Sequence, residues 1–248
     1  MDELIQEAAR SILGSKLTIA LTGAGISVES GIPDFRSRGG LWDRFDPDEY
    51  ATINSFKRSP EKVWEMLREM EETIDAAETN EAHTGLAELE RMGLLQTVIT
   101  QNVDNLHQEA GSRDVIEYHG NSRSLTCLWC NNSYDYKEKK GEYPPRCECG
   151  KILKPDVIFF GEAIPFDAMT RSTQLASTCQ VLLIIGTSAV VFPFNLLPRQ
   201  AKQAGSKIIE INLEKTALTD HIIDIFLQGK ASVKVSQLVS VVRELRGG

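Results

Sequence analysis

Five cysteines occur in the 248-residue chain, and four of them fall between positions 127 and 149. Cys127 and Cys130 form a C-x-x-C knuckle. After sixteen intervening residues, Cys147 and Cys149 form a C-x-C knuckle followed by Gly150. Four thiolates on two short knuckles can close a tetrahedral Zn²⁺ shell with no open position, which suits a structural metal. No histidine joins the cluster. Reactive redox cysteines are the competing reading, and no thioredoxin-like context surrounds them. Cys179 stands apart, beside an apolar run at 181–185, and reads as inert core.

A second group of candidates lies where apolar runs stop. Gly23-Ala24-Gly25-Ile26-Ser27 follows the run 16–21. Glycines there allow the backbone to approach a pyrophosphate, whose charge a following helix N-terminus favours. The G-x-G-x-x-G pattern is incomplete, because Val28 holds the third glycine position, so a plain strand-to-helix turn is an equal reading. Asp34, Phe35 and Arg36 follow Pro33 in a loop, where they could bind a ligand or form only a local ion pair. Gln101, Asn102 and Asp104 follow the run 94–100. The Gln101 and Asn102 amides both donate and accept, which suits ribose hydroxyls and a carboxamide, while Asn102 or Asp104 could equally cap a helix. His119, one of four histidines, ends the run 115–118 beside Gly120. Imidazole is the side chain suited to general base work near neutral pH. Gly186-Thr187-Ser188 ends the run 181–185, and Asn212-Leu213-Glu214 ends the run 207–211.

These groups need a scaffold that brings strand ends to one edge. Near-continuous apolar runs at 16–21, 94–100, 115–118, 157–160, 181–185 and 207–211 fit strands buried on both faces, as in a parallel sheet. Helical periodicity lies between them, at 2–13, 82–92, 167–179, 196–204 and 233–245. Two regions break the alternation. Residues 36–80 carry one helix pattern from Pro60, with Val63, Trp64, Leu67 and Met70 on one face. Residues 123–153 hold the cysteines. The expectation is an α/β fold: a doubly wound, Rossmann-like parallel sheet with a small zinc-ribbon insert and a helical insert. Residues 1–35, 81–122 and 154–248 then make the α/β domain, and 36–80 with 123–153 a small domain.

Composition narrows the function classes. The 27 basic and 35 acidic residues leave a net charge of −8, which gives no built-in attraction to nucleic acid. Asp2, Glu3 and Glu7 sit where a signal peptide would be basic, and no apolar segment follows, so a cytoplasmic location is expected. No stretch approaches the ~18 apolar residues of a spanning helix.

Taken together, in this order and spacing, the segments resemble those of the sirtuins, NAD-dependent protein deacylases. The resemblance rests on GAGISVESGIPDFRS (23–37), TQNVDNLH (100–107), HG (119–120), the four cysteines, KPDVIFFGE (154–162), GTSAVVFP (186–193) and INLE (211–214). It covers nearly the whole chain, which is similar in form to the short bacterial and archaeal members. The resemblance implies that Gly23, Ala24, Gly25, Asp34, Phe35 and Arg36 hold the pyrophosphate and nicotinamide-ribose side of NAD. It places Gln101, Asn102 and Asp104 at the ribose and nicotinamide pocket, Gly186, Thr187 and Ser188 at phosphate and ribose, and Asn212, Leu213, Glu214 and Ala231 around the adenosine. His119 would be the general base, with Asn102 beside it in the catalytic set. Val157, Ile158, Phe160, Gly161, Val191 and Phe192 would line the acyl-lysine tunnel and peptide groove. Cys127, Cys130, Cys147 and Cys149 would hold structural Zn²⁺. The implied reaction consumes NAD and yields nicotinamide, O-acyl-ADP-ribose and free lysine, with acyl-lysine proteins as partners and no direct nucleic-acid or membrane partner. Protein mono-ADP-ribosyl transfer is the alternative with the same co-substrate, and a non-catalytic NAD-binding module the alternative of another class. The chain departs from the usual family pattern at Ala189, where Leu is usual, and at Phe194-Asn195, where two alanines are usual. All three positions are expected near the peptide groove.

Overall fold

The structure, a computed structural model, describes residues 3–35 and 39–247. Helix α1 (Glu3–Gly14) buries Ile5, Ala8, Ala9 and Ile12, one stripe at helical spacing, and leads into the fully buried strand β1 (Thr18–Thr22). The chain then leaves the sheet for α2 (Pro47–Tyr50), α3 (Ile53–Arg58) and α4 (Pro60–Asp75). Pro60 at the first turn of α4 costs no hydrogen bond there, because that amide has no partner inside the helix. α5 (Glu81–Arg91) starts at a capping box in which Asn80 and His83 satisfy each other's end of the turn. β2 (Thr97–Thr100), the short α6 (Leu106–Glu109) and β3 (Val115–Glu117) follow.

A second excursion carries β4 (Gly120–Thr126), β5 (Ser133–Asp135), α7 (Tyr136–Lys139) and β6 (Lys154–Val157). The chain closes with α8 (Phe166–Ala176), β7 (Val181–Ile185), α9 (Leu196–Gln203), β8 (Lys207–Asn212), β9 (Ile225–Gln228) and α10 (Ala231–Gly247).

The main sheet runs β3-β2-β1-β7-β8-β9 with every pairing parallel, so the strand order reverses between β1 and β7. A crevice at the carboxyl ends of the strands at such a reversal is where doubly wound sheets bind ligands. The sheet is covered on both faces. α1, α5 and α10 pack on one side with Leu86, Leu183 and Val235. Tyr118, Leu182, Phe194 and Leu197 pack on the other. A separate core joins Leu41, Phe56, Val63, Trp64 and Leu67 to Leu125, Cys127, Cys147, Leu153 and Phe159, so the helical and cysteine-bearing excursions pack together. Trp64 ties them further by donating Nε1–H to the Leu153 carbonyl (2.9 Å).

The apolar run 157–160 is not a strand of the parallel sheet. β6 ends at Val157 and pairs antiparallel with β4 in a small sheet ordered β5-β4-β6. Phe160 makes only an isolated bridge to Thr52 and is 46% exposed. The run is apolar because it lines a cavity, not because a sheet buries it. The sixth strand of the main sheet is instead β9. Its Ile-Phe-Leu-Gln sequence sits at the edge, with Ile225 and Leu227 buried and Gln228 exposed. Among the described residues, no helix is long and apolar enough to cross a membrane.

Candidate active site

The loops after β1 and β7 meet at the reversal point. Gly25 N–H donates to the Gly186 carbonyl (2.8 Å). A Cβ on Gly25 would lie 2.7 Å from that oxygen, one on Gly186 would lie 2.3 Å from the Ile26 nitrogen, and one on Gly23 would lie 2.7 Å from Thr187 Cβ. The glycines are therefore required for contact between the loops themselves. Thr187 binds the neighbouring strand ends together: its hydroxyl accepts from Gln101 Nε2 (2.8 Å) and from the Ala189 amide (3.0 Å), and its carbonyl accepts from Asn212 Nδ2 (3.2 Å). The amides of Ala24, Thr187 and Ser188 donate to no acceptor among the described residues, and all three residues line the crevice. Such clustered open amides suit a pyrophosphate.

Behind these loops lies a buried polar network. Asn102 Nδ2 donates to Ser27 Oγ (3.0 Å) and to Asp104 Oδ2 (3.1 Å), and Ser27 Oγ donates to the same Asp104 oxygen (2.7 Å). Asp104 Oδ1 accepts the Leu106 amide at the start of α6 (3.0 Å), so this carboxylate both caps and joins the network. His83 Nε2 approaches Ser27 Oγ (3.4 Å), while its Nδ1 accepts the Asn80 amide (3.3 Å). Burial lowers His83 to about 4, against the opposing field of Asp104, and lowers His107 to about 3. Both imidazoles are neutral at pH 7.

His119 follows β3 and precedes β4. Its ring rests on Tyr118 (centroids 5.6 Å) and Phe194 (6.2 Å). Burial lowers its pKa to about 4, partly offset by a hydrogen bond to the Gln101 backbone, so the ring is in its proton-accepting form at neutral pH. Gly120 has φ 73°, and a Cβ there would lie 1.9 Å from the Asp156 carbonyl; glycine is needed for β4 to approach β6. The Ile158 amide donates to the His119 carbonyl (2.9 Å), tying the segment after β6 to the histidine.

The departures at 189, 194 and 195 do not form a groove surface. Phe194 is fully buried under Tyr118 and His119, and Ala189 is buried with φ 46°. Asn195 Nδ2 holds the Val190 carbonyl (3.2 Å) and its amide holds the Val191 carbonyl (2.9 Å). Residues 191–195 thus form a turn leading into α9.

One cavity of about 820 Å³ runs through these parts. It is lined by Gly23, Ala24, Gly25, Asp34, Phe35, Gln101, Asn102, Asp104, His119, Gly186, Thr187, Ser188, Asn212, Leu213, Glu214 and Ala231, together with Val157, Ile158, Phe160, Gly161, Val191 and Phe192. Arg36 lies outside the described residues. The cavity extends under α4, against Met66, Leu67, Met70 and Ile74. Arg44 and Glu69 also line it and form an ion pair with each other. Arg68 does not line it: its guanidinium pairs with Glu72 (3.0 Å) and lies over Tyr143.

The four cysteines converge at the edge of the small sheet. Their sulfurs all lie within 4.8 Å of one another, and three of the pairs are 3.5–3.7 Å apart. A tetrahedron with Zn–S bonds of ~2.3 Å has edges of about 3.8 Å, so the spacing of the four thiols suits Zn²⁺. Tyr134 Oη lies 3.3 Å from Cys147 Sγ and accepts the Glu148 amide (3.3 Å), a support for the ligands outside the cluster itself.

Residues 23–193 match the family model described as the Sir2 family. The chain belongs to the Sir2 family. Among its curated relatives is NAD-dependent protein deacylase 2 of Pyrobaculum aerophilum, 46% identical over 233 residues, covering 94% of this chain and 93% of the relative. A solved Sir2 homologue–NAD complex superposes with a TM-score of 0.91 at 46% identity, covering 99% of this chain and 95% of the other. A Sir2 protein of known structure with a bound myristoylated histone peptide superposes with a TM-score of 0.86 at 39% identity, covering 100% of this chain and 99% of the other.

In this Sir2-family chain, the sequence reading missed Ser27, His83 and Asn80, which brace Asn102 and Asp104 from behind. Ser27 lies inside the glycine motif, and Asn80 precedes the helix pattern at 82–92 as a capping residue would. On the α4 wall of the cavity, Met66 and Ile74 join Leu67 and Met70.

Proposed function

We infer that the cavity removes acyl groups from protein lysine side chains at the expense of NAD, yielding free lysine, nicotinamide and O-acyl-ADP-ribose. The chain is an NAD-dependent protein deacylase. The observation that carries this reading is the junction at His119: a neutral, buried imidazole where open loop amides give way to an apolar tunnel. Mono-ADP-ribosyl transfer to protein is not favoured, since the curated relatives are named deacylases.

NAD, when bound, supplies a ribose carbon that releases nicotinamide and accepts the acyl oxygen. We assign Ala24, Thr187 and Ser188 to its phosphates through open amides, with Gly23 and Gly25 allowing close approach, and Asp34, Phe35 and Arg36 to the pyrophosphate and nicotinamide-ribose side. Gln101, held by Thr187, and Asn102 and Asp104, held by Ser27, take the ribose and carboxamide. Gly186 allows the loops to meet, and Asn212, Leu213, Glu214 and Ala231 border the adenosine. His119 accepts a ribose hydroxyl proton at an imidazole nitrogen. Val157, Ile158, Phe160, Gly161, Val191 and Phe192 exclude water from the acyl-lysine. Zn²⁺ on the four cysteines supports the small domain and takes no part in the chemistry. We retain 1–35, 81–122 and 154–248 as the NAD-binding domain, with 36–80 and 123–153 as the small domain. Four reduced thiols suit a cytoplasmic location.

The α4 wall gives the acyl preference. Leu67 and Met70, three positions apart, both face the cavity and neither carries charge. Arg68 points elsewhere, and Arg44 is already neutralised by Glu69. An acidic acyl group would enter without a dedicated cation and lose hydration. Acetyl-lysine peptide is therefore expected to exceed its succinyl twin at least about tenfold in kcat/KM, ~1.4 kcal/mol. Long neutral chains should also be turned over, consistent with the similarity to the Sir2 protein bound to a myristoylated peptide. A panel of acetyl, succinyl and long-chain peptides with NAD, followed by mass spectrometry, tests this. Equal or faster turnover of the succinyl peptide contradicts it.

A further inference from the structure

The segment that forms one wall of the acyl-lysine tunnel is held by a buried ion pair at its two ends. Lys154, at the start of β6, is almost wholly buried, its side chain 6% exposed. Its Nζ donates to the carbonyls of Pro155 (3.0 Å) and Val157 (2.7 Å) and to Glu162 Oε2 (2.9 Å). The same Glu162 oxygen accepts the Phe159 amide (2.8 Å), and the Glu162 amide donates to the Phe159 carbonyl (3.0 Å). The ammonium also sits over the Phe159 ring, 4.6 Å from its centroid, and that ring is buried against Phe56 (5.8 Å). Phe159 is thereby anchored in the small core, and with its neighbours Ile158 and Phe160 it borders the cavity.

The backbone follows the same division. The inward-facing groups of the segment are all taken: Val157 C=O by Lys154, Ile158 N–H by His119 C=O, Phe159 N–H by Glu162, and Phe160 N–H by Ala51 C=O (2.9 Å). Ile158 C=O and Gly161 N–H have no partner among the described residues. Regular strand pairing ends at Val157, and beyond it the Lys154–Glu162 pair joins the bonds from His119, Ala51 and Ile53 in fixing which carbonyl and which amide point outward.

We propose that Lys154 and Glu162 are positioning residues for the deacylation reaction: their ion pair clamps residues 155–161 so that Ile158, Phe160 and the open backbone groups are presented to the acyl-lysine peptide. This rests on the deacylase reading above. Neither residue is assigned a contact with NAD or a role in proton transfer. Loss of the clamp should weaken peptide capture far more than turnover of peptide already bound.

Glu162 is the residue to vary, because Lys154 without its carboxylate still has two carbonyl acceptors. Glu162→Ala removes the acceptor for both Nζ and the Phe159 amide. Glu162→Gln keeps one oxygen able to accept from both. The expected result is a rise of about tenfold or more in KM for an acetyl-lysine peptide in Glu162→Ala. Its kcat and its KM for NAD should stay within about threefold of wild type. In Glu162→Gln the peptide KM should return to within about threefold of wild type. Peptide affinity measured by fluorescence anisotropy should follow the same order, independently of turnover. A Glu162→Gln variant as impaired as Glu162→Ala would overturn the proposal in favour of a direct charge contact with the peptide. A Glu162→Ala variant with lower kcat and unchanged peptide KM would overturn it in favour of a purely structural pair. Wild-type protein that binds peptide but performs no NAD-dependent deacylation would instead refute the underlying function, and the anisotropy series would still decide the clamp.

Discussion

His119→Ala is expected to lower kcat/KM for an acetyl-lysine peptide by about 10²–10⁴, with NAD affinity retained within a few-fold. The lower bound follows from what general base assistance contributes to a proton transfer. His119 meets the geometric requirement by lining the cavity, and it meets the electronic one because burial keeps its imidazole unprotonated at pH 7. NAD affinity should survive because the open amides of the Gly23 and Thr187 loops and the network of Ser27, Asn102 and Asp104 do not depend on the imidazole. The substitution leaves room beside Tyr118 and Phe194, whose own contact (5.2 Å) does not involve the histidine, so the fold should hold. Calorimetric NAD titration and steady-state kinetics on the same preparation check both halves. More than about a third of wild-type turnover in the variant would remove His119 from its role.

Removing zinc should be as damaging by a different route. One Zn²⁺ per chain is expected from metal analysis, and substituting any ligand, Cys147→Ser for instance, should cause unfolding or aggregation. Structural zinc sites contribute apparent free energies of ~10–16 kcal/mol in small peptide domains, comparable to the stability of a whole domain. Here Cys127 and Cys147 are themselves part of the core that holds α4 against β4 and Leu153. The damage reaches the active site along β4, which runs from Gly120, next to His119, to Thr126, next to Cys127. Thermal melts and scattering with and without a zinc chelator measure the loss. Fully active protein without zinc would refute the structural role. Catalytic loss in a Cys147→Ser variant that stays folded and zinc-loaded would show that the cluster acts in some other way.

Much of this was readable from residue types, and the failures have identifiable physics. Five of the six parallel strands announce themselves because burial on both faces demands unbroken apolar runs such as those of β1 and β7. β9 escapes because an edge strand with only Ile225 and Leu227 turned inward carries a weaker signal. The run 157–160 misleads for the converse reason: a ligand tunnel and a sheet interior both select apolar side chains, and period alone does not separate them. The strand-end residues were legible because each sits where a run stops. Their braces were not, since Ser27, Asn80 and His83 come from elements whose proximity only the fold creates. Phe194 shows the limit of reasoning by motif. Its sequence position gives its neighbourhood but not its role, which is to form the floor beneath His119.

The most direct test of the central claim is a product inventory from wild-type protein, NAD and one acetyl-lysine peptide, followed by mass spectrometry over time. The account predicts equal amounts of nicotinamide, O-acetyl-ADP-ribose and deacetylated peptide, with no reaction when NAD is omitted. Free acetate with NAD left intact, or ADP-ribose attached to a peptide that keeps its acetyl group, would contradict it.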